Sequence, residues 1–163
     1  MRHKKYYLPP WAARAAASYI AGAGDMERQL LARERDIVLG TVNRAVSVTQ
    51  EGRESLAYLP SGGGMPGDPT FDRATALVAL WDSPCGRIYV TVNSCLRAAV
   101  AELPEAWLRR SIIGLIKHSC ARGRNFCYED EVISGISKSG FYRLRKRALW
   151  LIAVRTGLIT EEE

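Results

Sequence analysis

Histidine is scarce in this chain, which has two histidines among 163 residues. His3 and His118 are far apart in the sequence, and neither stands in a recognisable acid–base or nucleophilic arrangement with serine and carboxylate residues. The acidic residues are scattered and show no paired, metal-ligating pattern. The sequence therefore indicates a protein that is not an enzyme.

Cysteine is also sparse, and none of the four cysteines forms a C-x-x-C pair. Small secreted domains that are held together by disulfides contain many more cysteines for their length. Reduced thiols in a cytosolic protein are therefore the better interpretation. His118, Cys120 and Cys127 lie close together in the sequence, but their spacing matches no common zinc module. We therefore expect no metal and no cofactor.

Long apolar runs are absent, since no stretch approaches the roughly 20 residues that span a bilayer. The first ten residues are basic, but the alanine-rich stretch Trp11–Ala23 is interrupted by Arg14 and lacks the apolar core of a signal peptide. These features predict a cytoplasmic protein without a membrane partner.

Positive charge is abundant and unevenly distributed. The chain has a net charge of +6, and residues 104–160 contain 11 Lys/Arg against 4 Asp/Glu, while residues 1–103 contain 12 against 10. A basic segment of this kind is typical of a surface that binds DNA. Charge alone would also fit RNA or an anionic membrane.

The N-terminal part predicts helices followed by a loop. A first helix is expected over Trp11–Ala21, and Gly22–Gly24 is expected to end it. A second helix is predicted from Asp25 to about Val48, with mixed charges that suit packing on a partner helix. Residues 50–67 are rich in Gly, Ser and Pro, which predicts a flexible loop.

The remainder of the chain is also predicted to be helical. Pro69 begins a helix whose apolar stripe consists of Phe71, Ala74, Leu77, Val78 and Trp81. Arg87–Val92 is rich in β-branched residues, yet its apolar residues continue at helical spacing, so a helix is expected there and another from Pro104 to about Cys120. The fold class is all-α. The predicted domains are an N-terminal helical segment (1–49), where oligomerisation is left open, the loop (50–67) and a helical DNA-binding domain (68–163).

A helix-turn-helix is predicted at about 128–152, with its first helix over Tyr128–Ser134. Gly135 can adopt the positive φ of the turn, Ile136 supplies an apolar plug, and Ser137 can cap the second helix. Apolar residues then follow at helical spacing: Phe141, Leu144, Ala148 and Leu151/Ile152. The candidate DNA-binding residues are Ser137, Lys138, Ser139, Tyr142, Arg143, Arg145, Lys146 and Arg147.

Seven of these eight residues are expected to divide their contacts between bases and phosphates. Residues nearest the bases should be Ser139, Tyr142, Arg143 and Lys146. Residues nearer the phosphates should be Lys138, Arg145 and Arg147. A solvated basic helix would show similar charges, but the turn glycine, the plug and the cap together favour DNA binding.

The segment Ile136–Leu149 resembles the recognition helix of the ArpU/RinA group of phage-encoded transcriptional regulators. Met65–Thr70 is similar to that group's loop ending in a D-P-T helix start, and the order of helices from 25 to 157 is also similar, with a C-terminal motif like region four of bacterial sigma factors. The resemblance implies a sequence-specific regulator of phage gene expression, phage- or prophage-encoded and acting in the bacterial host cell. Its partners would be double-stranded DNA and RNA polymerase. Tyr128–Ser134 departs from the pattern by being about one residue short.

Two other classes of protein compete with this interpretation. Gly62–Gly67 matches the G-x-G-x-x-G pattern of dinucleotide sites, but a polar loop precedes it and Pro66 removes a backbone donor. The alternative function is a phage DNA-packaging protein such as a small terminase subunit. Those proteins usually carry their DNA-binding part first, whereas here it is last.

Overall fold

A computed structural model of the chain describes residues 7–39, 69–130 and 135–160, together with the backbone of two strands at 44–48 and 54–58. The helices are α1 (Pro10–Val38), α2 (Pro69–Asp82), α3 (Pro84–Ala99), α4 (Ala106–Arg122) and α5 (Lys138–Arg155). The strands β1 (Arg44–Val48) and β2 (Glu54–Tyr58) pair antiparallel, with Arg44 opposite Tyr58. The described residues are mainly helical, so the all-α prediction is confirmed and the hairpin is an addition to it.

Helix α1 is continuous where the sequence predicted a break. Glycine costs about 1 kcal/mol relative to alanine inside a helix, and Gly22–Gly24 contributes two glycines. Ala23 between them is nevertheless fully buried, in line with the buried Ala16 and Ile20. Packing of this face outweighs the local preference, and Asp25 lies inside the helix instead of capping a second one.

The predicted helix to Val48 was also too long. Helix α1 ends at Val38, and Arg44–Val48 forms a strand that pairs with Glu54–Tyr58, inside the predicted loop. Val46 and Val48 in this segment favour extended backbone because they are branched at Cβ. The rest of the predicted loop, at 50–53 and 59–67, lies outside the described residues.

The chain divides into two compact units, residues 1–25 with 88–163 and residues 26–87. In the first unit, α3, α4, α5 and the beginning of α1 contribute to one apolar core. Its largest fully buried side chains include Leu96, Ile112, Ile116, Phe141 and Ile152. The predicted domain limits at 49 and 67 differ from this division and stay predictions.

The second unit contains the end of α1, the hairpin and α2. Among its side chains that the structure describes, the buried apolar ones are Leu30, Ile37 and Leu80. Helix α2 begins at Pro69, as predicted. The predicted apolar stripe of α2 was wrong in part, because Phe71 and Val78 are 69% and 64% exposed.

The corner between α2 and α3 lies at Ser83, and it depends on a glycine. Helix α3 begins at Pro84, and Ser83 Oγ accepts a hydrogen bond from the backbone N–H of Gly86 at 3.2 Å. A Cβ atom at residue 86 would overlap the carbonyl oxygen of Trp81 and lie 2.8 Å from that of Leu80. Such a distance is far inside van der Waals contact, so the two helices meet this closely only with glycine at that position.

The helices predicted at Arg87–Val92 and from Pro104 are confirmed within α3 and α4. In α3, the fully buried Val92 and Cys95 lie on the core side of the helix. Helix α4 ends at Arg122 and is followed by two 3₁₀ turns, Gly123–Asn125 and Tyr128–Asp130. Among the described helices, none has the length and apolarity needed to cross a membrane.

Candidate nucleic-acid interface

The start of α5 has the local structure that its sequence predicts. Gly135 has a φ of 101°, a value that residues with a Cβ atom rarely adopt. Ser137 has extended backbone, and its Oγ accepts a hydrogen bond from the N–H of Gly140 at 3.2 Å. Ile136 is half-buried, and a Cβ at residue 140 would lie 3.1 Å from its Cγ1. The turn glycine, the apolar plug and the cap are therefore all present.

The first helix of the predicted helix-turn-helix is only partly described. Tyr128–Asp130 forms a 3₁₀ turn, and residues 131–134 lie outside the described ranges. The helix-turn-helix as a whole thus stays a prediction. Its second helix, α5, is present and extends to Arg155, a little beyond the predicted limit.

Aromatic packing joins this 3₁₀ turn to the first turn of α5. The hydroxyl of Tyr128 donates a hydrogen bond to the carbonyl oxygen of Ile136 at 2.8 Å. The ring centroids of Tyr128 and Phe126 lie 5.3 and 5.7 Å from that of the fully buried Phe141. No contact of Tyr128 or Phe126 was predicted from the sequence. They orient the start of α5, and three aromatics within 16 residues were the signal available for them.

Helix α5 is buried on the predicted side. Its buried residues are Phe141, Leu144, Ala148, Leu149, Ile152 and Ala153. Leu151 is only half-buried, so Ile152 continues the stripe. The helix is thereby fixed about its own axis, and this decides which side chains face outwards.

The eight candidate residues divide into two groups. Ser137, Lys138, Ser139, Tyr142, Arg143 and Lys146 are exposed, whereas Arg145 and Arg147 are half-buried. Within the described residues, Arg143 and Lys146 have no ion-pair partner. Lys138, Arg145 and Arg147 each contact another side chain of the protein.

Two of these contacts are ion pairs. The Lys138 ammonium pairs with the carboxylate of Glu129, and both side chains are more than half exposed. A guanidinium nitrogen of Arg147 lies 2.5 Å from Oε1 of Glu102. The hydrogen bond from Lys138, assisted by one from the Cys127 thiol, lowers the pKa of Glu129 to about 2. The same pairing raises the pKa of Lys138, so both groups are charged at neutral pH.

The third contact connects α5 to α4. The Nε atom of Arg145 donates a hydrogen bond to Oγ of the buried Ser119 at 3.0 Å, and that hydroxyl in turn donates to the carbonyl oxygen of Ile116 at 2.8 Å. Burial raises the pKa of the neighbouring Cys120 thiol, although the positive charge of Arg145 opposes this. Arg145 thus has a structural contact, and its phosphate contact stays a prediction.

A shallow recess of about 250 Å³ lies at the beginning of α5, lined by Ser137, Ser139, Gly140 and Arg143. Two hydroxyls and one guanidinium thus converge at a helix N-terminus, where the helix dipole is positive. The Oγ atoms of Ser137 and Ser139 are 3.1 Å apart. The recess belongs to the same exposed surface as Tyr142 and Lys146.

The residues considered as zinc ligands do not form a cluster. His118 packs edge-on against Phe126, Cys120 is buried, and the exposed Cys127 donates its S–H to Glu129 at 3.1 Å. Across the described ranges, no three His, Cys, Asp or Glu side chains are arranged to hold a metal ion.

Comparison of the chain with protein-family models, with curated proteins and with solved structures gave no match.

Proposed function

We propose that the protein is a sequence-specific DNA-binding regulator of transcription, with α5 as its recognition helix. One observation carries this proposal: the buried side of α5 leaves Tyr142, Arg143 and Lys146 together on the exposed side. The major groove of B-DNA admits an α-helix, and arginine is the side chain most often found on guanine edges.

The exposed side of α5 can read bases near its N-terminal end. Arg143 lies one turn after Ser139, beside the recess, and its guanidinium can donate two parallel hydrogen bonds to one guanine. Tyr142 is 39% exposed, and its ring packs edge-on against Phe141 at 5.2 Å between centroids. This packing limits the freedom that the Tyr142 side chain would lose on binding.

Lys138, Arg145 and Arg147 are proposed to lie nearer the phosphates. Each of them keeps donors beyond those that its protein contact uses, since an ammonium has three N–H groups and a guanidinium has five. The ion pairs with Glu129 and Glu102 also hold two of these cations at defined positions. Phosphate contacts from such side chains would fix the register of α5 in the groove without reading sequence.

The biological setting rests on the resemblance to the ArpU/RinA group. By that resemblance the regulator is phage- or prophage-encoded, acts on phage gene expression and has RNA polymerase as a further partner. A small terminase subunit is the alternative, and the number of protomers separates the two. A ring of eight or more copies would favour DNA packaging, whereas a monomer or dimer favours transcription.

Selection from a library of genomic DNA fragments tests the proposal. The purified protein should enrich a defined sequence, and Arg143→Ala should weaken binding to that sequence by about 1–3 kcal/mol relative to random DNA. Arg73→Ala is the matched control, because it removes the same charge from an exposed position of α2. Enrichment of no sequence, or an unchanged preference in Arg143→Ala, would contradict the proposal.

A further inference from the structure

Helix α4 and the turn after it carry positive charge without negative charge. Residues 106–128 contain five Lys/Arg and no Asp/Glu, and the proposed recognition surface on α5 includes none of these five. Two of them, Arg122 and Arg124, are exposed at the 3₁₀ turn Gly123–Asn125. Within the described residues, neither of these two arginines has an ion-pair partner. Their charges are therefore available to an anionic molecule.

Backbone hydrogen bonds hold this turn in a defined shape. Gly123 ends α4 with a φ of 57°, and its N–H donates a hydrogen bond to the carbonyl oxygen of Ser119. The N–H of Phe126 donates to the carbonyl oxygen of Gly123 at 3.4 Å, which closes the 3₁₀ turn. The backbone positions of the two arginines are thus set before any ligand binds.

Both ends of the segment from Ser119 to Phe126 contact α5. Ser119 accepts the hydrogen bond from Arg145, and the ring centroid of Phe126 lies 5.7 Å from that of Phe141. Phe141 and Arg145 are four residues apart, which is about one turn of a helix. The basic turn between these two contacts is therefore fixed beside the N-terminal half of α5.

We propose that Arg122 and Arg124 bind phosphates of the same DNA duplex whose bases α5 reads. This inference rests on the proposed function and adds a second contact surface to it. The major groove that admits a recognition helix is about 12 Å wide and is bordered on both sides by phosphates. A segment packed along the side of that helix lies over one of these two rows of phosphates. The guanidinium groups there supply affinity and orientation, and they read no sequence.

Fluorescence anisotropy with two labelled duplexes tests the contact. One duplex has the sequence selected from the fragment library, and the other has a scrambled version of it. Arg122→Ala and Arg124→Ala should each weaken binding to both duplexes several-fold, so that the preference between the duplexes is unchanged. Each substitution should also lower the slope of log affinity against log salt by about one unit. Arg143→Ala, in contrast, should reduce the preference.

Arg97→Ala is the matched control in the same compact unit. Arg97 is exposed on α3, one turn after Ser94, and Ser94 accepts a hydrogen bond from Arg155, the last residue of α5. Helix α5 has 18 residues and is about 27 Å long, so the control removes the same charge far from the basic turn. It should leave the affinity and the salt slope nearly unchanged, because salt screens charges beyond about 10 Å.

Arg124→Lys separates a phosphate contact from a structural role. Lysine binds phosphate as a point charge, so this variant should keep most of the salt slope that Arg124→Ala loses. Circular dichroism and urea denaturation should give parent values for all the variants of the turn, since neither arginine makes a hydrogen bond or an ion pair with the described residues. A loss of stability that accompanies the loss of affinity would assign the arginines a structural role and overturn the proposal.

Directed cleavage locates the turn on the duplex. An iron chelate attached to Arg124→Cys, in a background with Cys85→Ser and Cys127→Ser, should cut the selected duplex at one border of the protected sequence when peroxide and a reductant are added. The same chelate on Arg97→Cys should not cut there. Absence of cleavage from position 124 would overturn the contact.

The outcomes distinguish this inference from the proposed function. If the two duplexes bind equally well but both alanine variants of the turn bind more weakly, sequence recognition by α5 fails and the phosphate contact stands. If these variants bind like the parent while Arg143→Ala loses its preference, the phosphate contact is overturned and the proposed function stands. A loss of preference in either turn variant would show that the turn reads bases, which also overturns the inference. A protein that binds neither duplex would overturn both.

Discussion

The ammonium group of Lys138 donates a hydrogen bond to a carboxylate oxygen of Glu129, and this pair joins the first residue of α5 to the preceding 3₁₀ turn. Glu129 also accepts the S–H of Cys127 through its other carboxylate oxygen. One acidic side chain thus holds two neighbours at the edge of the candidate interface. It also places a negative charge where the proposed function would bring a phosphate.

Glu129→Gln should strengthen DNA binding. The substitution removes a negative charge beside the position proposed for a phosphate, so that the repulsion is lost and the phosphate no longer shares the charge of Lys138 with a carboxylate. We expect affinity to rise several-fold and the slope of log affinity against log salt to steepen by about one unit. Fluorescence anisotropy over a salt series measures both quantities. Asp72→Asn in α2 removes the same charge from an exposed site and should change neither. An unchanged salt slope in Glu129→Gln would show that Lys138 does not reach a phosphate.

Ser137→Ala should destabilise the protein by about 0.5–2 kcal/mol, because the Oγ of Ser137 caps α5 by accepting from Gly140. Urea denaturation followed by circular dichroism measures the free energy of unfolding. Ser139→Ala is the matched control, since that hydroxyl contacts only Ser137 in the described structure. Equal losses in the two variants would mean that the cap contributes nothing beyond an ordinary hydroxyl.

The contact between Arg145 and Ser119 should appear as a coupling in stability. Arg145→Ala and Ser119→Ala should each cost about 1 kcal/mol, and the double variant should cost less than their sum by about 0.5–1.5 kcal/mol. Arg143→Ala, two residues away and exposed, should leave the free energy of unfolding nearly unchanged. Strictly additive losses of stability in the double variant would show that the Arg145–Ser119 hydrogen bond contributes nothing to the free energy of unfolding. Only the proposed phosphate contact would then remain for Arg145.

The four thiols should react at different rates with a soluble disulfide reagent. Cys127 is exposed and should react first, followed by the half-buried Cys85. Cys95 and Cys120 should react slowly until the protein unfolds, because burial hides them and raises the pKa of both thiols. Mass spectrometry of the labelled peptides identifies the order. Early labelling of Cys95 would indicate that the core around α3 opens readily.

The structure of α5 could be predicted because its signals are local. The φ of Gly135, the cap at Ser137 and the apolar stripe from Phe141 each depend on residues within a few positions of one another. The start of α2 at Pro69 could be predicted for the same reason. The formation of each of these elements depends little on residues elsewhere in the chain.

The predictions were wrong or incomplete where residues far apart in the sequence determine the structure. Helix α1 passes through Gly22–Gly24 because Ala23 belongs to the same apolar core as residues of α3, α4 and α5. The partners of Lys138, Arg145 and Arg147 could not be assigned either, since Ser119 and Glu102 lie on or near other helices. Periodicity showed that these cations face outwards or sideways, but it could not show which of them already have a contact.

At position 86, a single added carbon atom would clash with the backbone at the end of α2. The carbonyl oxygen of Trp81 occupies the space that any side chain there would need, so even alanine would force the α2–α3 corner apart. The cost would be a loss of folding stability, while every residue of α5 would remain as it is. We therefore expect a substitution at Gly86 to act as a temperature-sensitive allele in a living cell, with a phenotype on warming that reports loss of the folded protein and not a change in α5.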